Sequence, residues 1–209
     1  TDGSTTITPS AYSFNTTAGQ SVIKYGGDGT PGALVAHGLG AVPQMYMVKC
    51  LSSAEAWRVY HHKLDATAPE DYTLTLNADD AYNNNTSWND TAPTAVNICI
   101  GNNDNVNNSS KDYVAYCFAE KSGYSKFGSY KGNGNADGTF VYTGFRPALI
   151  IVKDYASVES WALYDNKRLG YNSDNWFLCP NSNRDEGTTV YPDILSNGFK
   201  CLSSDGMLN

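Results

Sequence analysis

The chain has 209 residues, only 17% of them charged, with a net charge of −7 and a pI near 4.8. That balance excludes a nucleic-acid partner, whose phosphates require a clustered basic face, and no run approaches the roughly 18 apolar residues of a membrane helix. Thr1-Asp2-Gly3-Ser4 has neither the basic nor the apolar part of a secretion signal, so the chain reads as soluble, not visibly targeted and not inserted in a membrane.

Gly (19), Tyr (15) and Asn (21) are abundant, which suits a loop-rich β protein. The segment 1–20 reads as extended, and within it Ser4 to Ala18 carries Ile7, Tyr12 and Phe14 on a Thr/Ser-rich background. Predicted strands follow at Ser21 to Tyr25, Ala33 to His37, Gln44 to Cys50, Ala56 to Tyr60, Tyr72 to Asn77, Thr94 to Ile100 and Tyr113 to Ala119. The second half continues with Tyr124 to Tyr130, Thr139 to Thr143, Ala148 to Lys153, Trp161 to Tyr164, Asn175 to Cys179 and Gly198 to Leu202. Gly-Asp-Gly, Asn-Gly-Asn and Ser-Asn-Gly clusters separate them as turns. The predicted fold class is all-β, an antiparallel sandwich or jelly roll. Trp57 and Trp161 are expected as core anchors, and the apolar run around Leu149 and Ile151 as a central strand buried on both faces.

The two halves echo each other. Tyr25-Gly26-Gly27-Asp28-Gly29 returns as Tyr130-Lys131-Gly132-Asn133-Gly134, at 130 − 25 = 105. Pro43 to Lys49 returns as Pro147 to Lys153, Trp57-x-x-Tyr60 as Trp161-x-x-Tyr164, and Asn77 as Asn181, at 161 − 57 = 104. This predicts an internal tandem duplication, with a first β-sandwich repeat at 21–124 and a second at 125–209 that lacks its last strand. What repeats is glycine, proline and core-type aromatics, the needs of a scaffold, and no acid, base or nucleophile pair repeats with them. If Asn209 is the true end, the second repeat has an open sheet edge, and Ile7, Tyr12 and Phe14 mark an assembly strand able to enter such an edge in a neighbour.

Cys50, Cys99, Cys117, Cys179 and Cys201 are odd in number and not shared between the copies, so they read as small strand residues in a reducing compartment rather than a disulfide framework.

These motifs resemble a known family. Tyr-x-Gly-x-Gly, then Gly-Leu-Gly-x-x-Pro or Gly-Phe-Arg-Pro, then Trp-x-x-Tyr, and above all Tyr113 to Tyr130, are similar to an uncharacterised domain family of structural proteins from marine tailed phages, often tail-fibre or virion-surface proteins. The resemblance covers about Ser21 to Lys200. It implies a virion or fibre component and supplies no catalytic residues. In that family a second copy usually runs on into its own closing strand.

Enzyme signatures are absent from the sequence: it has no Gly-x-Ser-x-Gly, phosphate loop or His-Glu-x-x-His, and His37, His61 and His62 lack metal-ligand spacing. Glu120, Glu159, Asp154 and Asp165 are available for a glycosidase pair but read as surface charge. No cofactor is expected, although Asn133, Asn135 and Asp137 copy the first half of a calcium loop, whose second half fails at Gly144. The stretch 82–91 suits a sugar, with Tyr82 and Trp88 as stacking surfaces and Asn85 and Asn89 as hydrogen-bonding amides; a core plug is the alternative for Trp88. Asn-x-Ser/Thr acceptors stand at Asn15, Asn84, Asn85, Asn89, Asn107 and Asn108 and would lie on the surface of a secreted chain. The expected function is therefore a non-enzymatic structural protein of a virion surface or fibre, a tail fibre or capsid decoration, self-associating and able to touch a host-surface glycan. The alternative is an extracellular filament or adhesin subunit that polymerises by strand donation.

Overall fold

The computed structural model describes residues 4–168, 172, 176–190 and 192–209, and nearly all its regular structure is antiparallel strand. A first compact unit takes in Thr1–Thr75 and Tyr82–Lys121, and a second takes in Leu76–Ala81 and Ser122–Asn209. The first contains Ala11–Asn15 (β1), Gln20–Gly26 (β2), Ala33–Ala36 (β3), Met45–Cys50 (β4), Arg58–His61 (β5), Tyr72–Thr75 (β6), Asn83–Asn84 (β7), Asn97–Ile100 (β8) and Asp112–Phe118 (β9). The second contains Phe140–Tyr142 (β10), Leu149–Val152 (β11), Ala162–Asp165 (β12), Phe177–Leu178 (β13), Pro192–Leu195 (β14) and Gly198–Cys201 (β15).

Strict alternation builds the first unit. β2 turns Ser21, Ile23 and Tyr25 inward, and β9 does the same with Tyr113, Ala115 and Cys117. The main sheet runs β1-β2-β9-β4-β5-β6-β7, and the pair β3-β8 lies apart from it. Val35, Ile98 and Ile100 of that pair share one core with Ile23, Tyr25, Tyr46, Val48 and Cys117 of the main sheet, which makes a sandwich. Each such side chain contributes about 1.5–3 kcal/mol by leaving water. The second unit has sheets β10-β15-β14 and β11-β12-β13 around Ile150, Tyr164, Phe177, Ile194, Phe199, Cys201 and Leu208. All five cysteines are buried and free.

One carboxamide ties the first unit's glycine turn to its core. Asn107 is fully buried; its Oδ1 accepts from the amides of Asp28 (2.8 Å) and Gly29 (3.2 Å), and its Nδ2 donates to Asp28 Oδ1 and Thr30 O, both at 3.0 Å. Every hydrogen-bonding site of the group is filled, as burial demands. Gly27 is required because a Cβ there would stand 2.3 Å from Asn108 O, and Gly29 because its φ is +72°. The Tyr25 hydroxyl closes the turn by donating to Val106 O at 2.7 Å.

The second unit holds the same arrangement. Asn209 Oδ1 accepts from Asn133 N (2.9 Å), its Nδ2 donates to Asn133 Oδ1 (2.9 Å) and Asn135 O (2.7 Å), and Tyr130 donates to Leu208 O. A Cβ on Gly132 would stand 2.4 Å from Asn209 C, and Gly134 has φ +67°. Strand registers correspond as well: Met45↔His61 and Val59↔Leu74 in the first unit become Leu149↔Asp165 and Leu163↔Leu178, each residue shifted by 149 − 45 = 104.

Three expectations are corrected. The predicted strand Tyr124 to Tyr130 is not a strand: only a bridge at Ser125 falls within it, and 126–130 have no regular structure. β11 is an edge rather than a central strand, and Leu149 and Ile151 are 55% and 42% exposed. Trp57 is half-buried outside the main core, stacked on Tyr116 at 6.0 Å, because Tyr60 takes the core-facing position of its strand. Within the segment expected as extended, β1 pairs with β2 from Ala11↔Lys24 to Asn15↔Gln20. Asn175, the expected start of a strand, lies outside the described residues; the strand itself is β13.

Replacing Asn107 with Ala strands buried amides and is expected to lower the free energy of unfolding by about 3 kcal/mol. Asn84→Ala, at an exposed site, should change it by less than about 0.5 kcal/mol. Urea titrations followed by circular dichroism compare the two.

Candidate functional site

The loop chosen for sugar binding folds inward. Trp88 is fully buried, its Nε1 donates to Tyr72 O at 3.1 Å, and its ring meets Tyr46 and Tyr60 edge-on at 4.7 and 6.3 Å. The exposed-platform reading is thus corrected: Trp88 is a core plug, drawn in because an indole with one polar atom can be satisfied by a single carbonyl. Asn85 caps the short 310 turn Thr86–Trp88 by accepting from Ser87 N at 2.9 Å. Asn89 ends the same turn in the left-handed region, at φ 51°. Tyr82 is half-buried against Tyr72, with ring centroids 4.8 Å apart. Asn85 and the backbone of Asn89 thus hold the turn that carries Trp88 into the core. Of the glycosylation-type sequences, Asn107 is sealed inside the fold, whereas Asn15 and Asn84 are exposed.

The expected assembly strand is also committed locally. Ile7 is buried and bridges to Val35, while Tyr12 and Phe14 stack at 5.8 Å on β1 with exposures of 70% and 48%. Within its own unit this segment pairs with β2. In the calcium-like loop, Asn133 is bound to Asn209 and Asp137 pairs with Lys200. Among the described residues no cluster of three or more His, Cys, Asp and Glu side chains could hold a metal.

The histidines serve the fold. His37 is buried, with Nδ1 accepting from Leu39 N (3.2 Å) and Nε2 facing Thr94 O (3.1 Å), so it is a neutral ring whose pKa burial pushes below the usual value. His61 Nδ1 accepts from Lys63 N at 3.1 Å; burial, then the neighbouring His62 and Lys63, push its pKa down to about 4. At the matching place in the second unit, Asp165 Oδ1 accepts from Lys167 N at 2.8 Å, which identifies the role as a turn cap. Sequence reading missed a cross-loop ion cluster: Lys111 Nζ lies 2.8 Å from Glu55 and 3.0 Å from Asp104. Lys111, then Ser53, hold the Glu55 carboxyl below the usual range, and Asn108, then Lys111, do the same for Asp104. Of the proposed carboxylates, Asp154 caps a turn at Ala156 N and Asp165 pairs with Arg168 at 2.8 Å.

The feature with chemical capacity left over is the outer edge of β11. It ends its sheet, and Leu149 and Ile151 project from it half in solvent. Its counterpart β4 is flanked on that side by β9, from Met45↔Phe118 to Cys50↔Tyr113. A sheet edge of this kind recognises extended polypeptide through main-chain hydrogen bonds. Among the described residues no helix is long and apolar enough to cross a membrane.

The fold is all-β, with two compact units. The chain belongs to the family described as Domain of unknown function (DUF7483), which matches residues 1–209. No curated protein and no solved structure matches it.

Two outcomes are expected. Trp88→Ala should destabilise the fold by about 4 kcal/mol, as removal of a buried aromatic does, and a urea titration reads it. Stability should also fall as pH drops from about 6.5 toward 4, because the unfolded chain takes up protons on histidine while folded His61 refuses them until about pH 4. His61→Asn, which keeps the turn cap, should flatten that part of the profile of urea midpoint against pH.

Proposed function

We propose that the chain is a non-enzymatic structural protein of a virion surface or fibre, built from one β-unit duplicated in tandem. The observation that carries this reading is the recurrence of one hydrogen-bonded framework: a buried or half-buried Asn braces a Tyr-x-Gly-x-Gly turn, and a strand meander follows in the same register. The residues that recur hold the backbone. His61, Asp154 and Asp165, which might have carried chemistry, cap turns or pair locally. The motif resemblance to phage tail-fibre and virion-surface domains supports the same placement. A host glycan would meet the exposed Asn83 and Asn84 beside Tyr82, since Trp88 lies in the core.

Polymerisation by strand donation is the second reading. The open β11 edge favours a strand acceptor, while the pairing of β1 with β2 speaks against Ser4 to Ala18 as the donor.

Sedimentation and negative-stain microscopy of the purified chain test the proposal. A closed homo-oligomer is expected; an open, unidirectional polymer would favour the filament, and a monomer that hydrolyses polysaccharide would overturn both readings. The duplication has its own check. Asn209→Ala should destabilise the second unit in the way that Asn107→Ala destabilises the first.

A further inference from the structure

We propose that the exposed pair Asn133-Gly134 is a self-acting deamidation site, at which the chain converts Asn133 to Asp with water as the only co-reactant and keeps the product in the same braced turn. Asn-Gly occurs twice in the sequence, at Asn133-Gly134 and Asn197-Gly198, and the fold treats the two differently.

The reaction requires the Gly134 amide nitrogen to reach Asn133 Cγ. Glycine leaves that nitrogen unshielded, and a Cβ built on Gly134 would meet nothing within 4 Å, so a cyclic imide has room to form. The Asn133 side chain is folded over the backbone that follows it: its Oδ1 accepts from Asn135 N and from Asn209 Nδ2, both at 2.9 Å. These two donors face the oxygen on which negative charge gathers as the nitrogen adds, in the manner of an oxyanion hole. Residues 131–137 are exposed, so water reaches the site. In the first step Gly134 N loses its proton and bonds to Cγ, the Cγ–Nδ2 bond breaks, and ammonia leaves. Water then adds to Cγ, the bond from Cγ to Gly134 N breaks, the nitrogen regains a proton, and a carboxylate remains. Nothing is oxidised or reduced.

The first unit already contains the product. Asp28-Gly29 holds the equivalent turn, where Asp28 Oδ1 accepts from Thr30 N (2.8 Å) and Asn107 Nδ2 (3.0 Å), and Asp28 N donates to Asn107 Oδ1 (2.8 Å). Asn133 makes the same three bonds, the last from its N to Asn209 Oδ1 at 2.9 Å, and all three survive the exchange of amide for carboxylate. The bond given up is the longer one from Asn133 Nδ2 to Asp137 O, at 3.2 Å. Acceptance of the product thus rests on the duplicated-unit reading above, whereas the reaction at Asn133 does not.

Asn197-Gly198 is the internal control. Asn197 is exposed as well, but its carbonyl accepts from Thr143 N (3.0 Å) and Gly144 N (3.1 Å), which clamps the peptide that would have to turn. Gly198 is buried in β15 between Leu195 of β14 and Tyr142 of β10, and a Cβ on it would stand 2.1 Å from Val141 O.

The whole purified chain, incubated in mildly alkaline buffer and mapped by mass spectrometry of its proteolytic peptides, is the test. Asn133 should gain about 1 Da and one negative charge while Asn197 stays intact. Fragmentation that separates Asp from isoAsp should show Asp as the main product. Asn133→Asp, which installs that product, should leave the circular dichroism and thermal midpoint unchanged. If Asn133 is still intact when a synthetic peptide of residues 130–138 has converted, the fold protects the pair and the site is overturned. Equal conversion at Asn197 would also overturn it, since sequence alone would then decide. Loss of second-unit structure in Asn133→Asp, or isoAsp as the main product, would overturn the claim that the turn holds the product. The oligomeric state, on which the proposed function is tested, is unaffected by any of these outcomes.

Discussion

A buried carboxamide that must fill all its hydrogen-bonding sites sets the geometry of the first unit. Asn107 can be satisfied only if Asp28, Gly29 and Thr30 form one particular turn, and that turn forms only if Gly27 lacks a Cβ and Gly29 adopts a positive φ. The turn then fixes where β2 ends and where β3 begins. Tyr25, the last inward residue of β2, is locked to Val106 next to the same Asn and stacks on Tyr113. The core and the polar brace are thus one cooperative structure, in which loss of either exposes the other.

The second unit has a brace of the same kind and smaller sheets. Asn209 and Tyr130 repeat the contacts of Asn107 and Tyr25, and β11, β12 and β13 repeat the register of β4, β5 and β6. Among the described residues no strand stands where β9 would, and the consequences are local: β11 becomes an edge, residues 126–130 form no strand, and Leu149 and Ile151 face solvent. The turn geometry recurs where the sheet does not, because the turn depends on a side chain, whereas strands depend on neighbours.

Much of this was legible in the sequence and some was not. Alternation revealed β2, β4 and β9, and the recurring Tyr-x-Gly-x-Gly marked both turns, because glycine requirements are local. The role of Asn107 was hidden: it looked like one of many Asn in an Asn-x-Ser sequence, and only contacts about 80 residues away in the chain show it as a brace. Trp88 was ambiguous for a related reason, since a polar neighbourhood in sequence does not predict a carbonyl such as Tyr72 O inside the fold. The apolar run at Leu149 and Ile151 misled because composition shows what could be buried but not whether a strand is there to bury it.

Hydrogen exchange at the amides of Asp28, Gly29 and Asn133 tests the central claim most directly, since all three donate to the bracing Asn side chains. The account predicts that these turn amides exchange as slowly as the strand amides of their own units. Exchange at the rate of open loops, with the adjacent strands still protected, would show that the carboxamides decorate the fold and do not organise it.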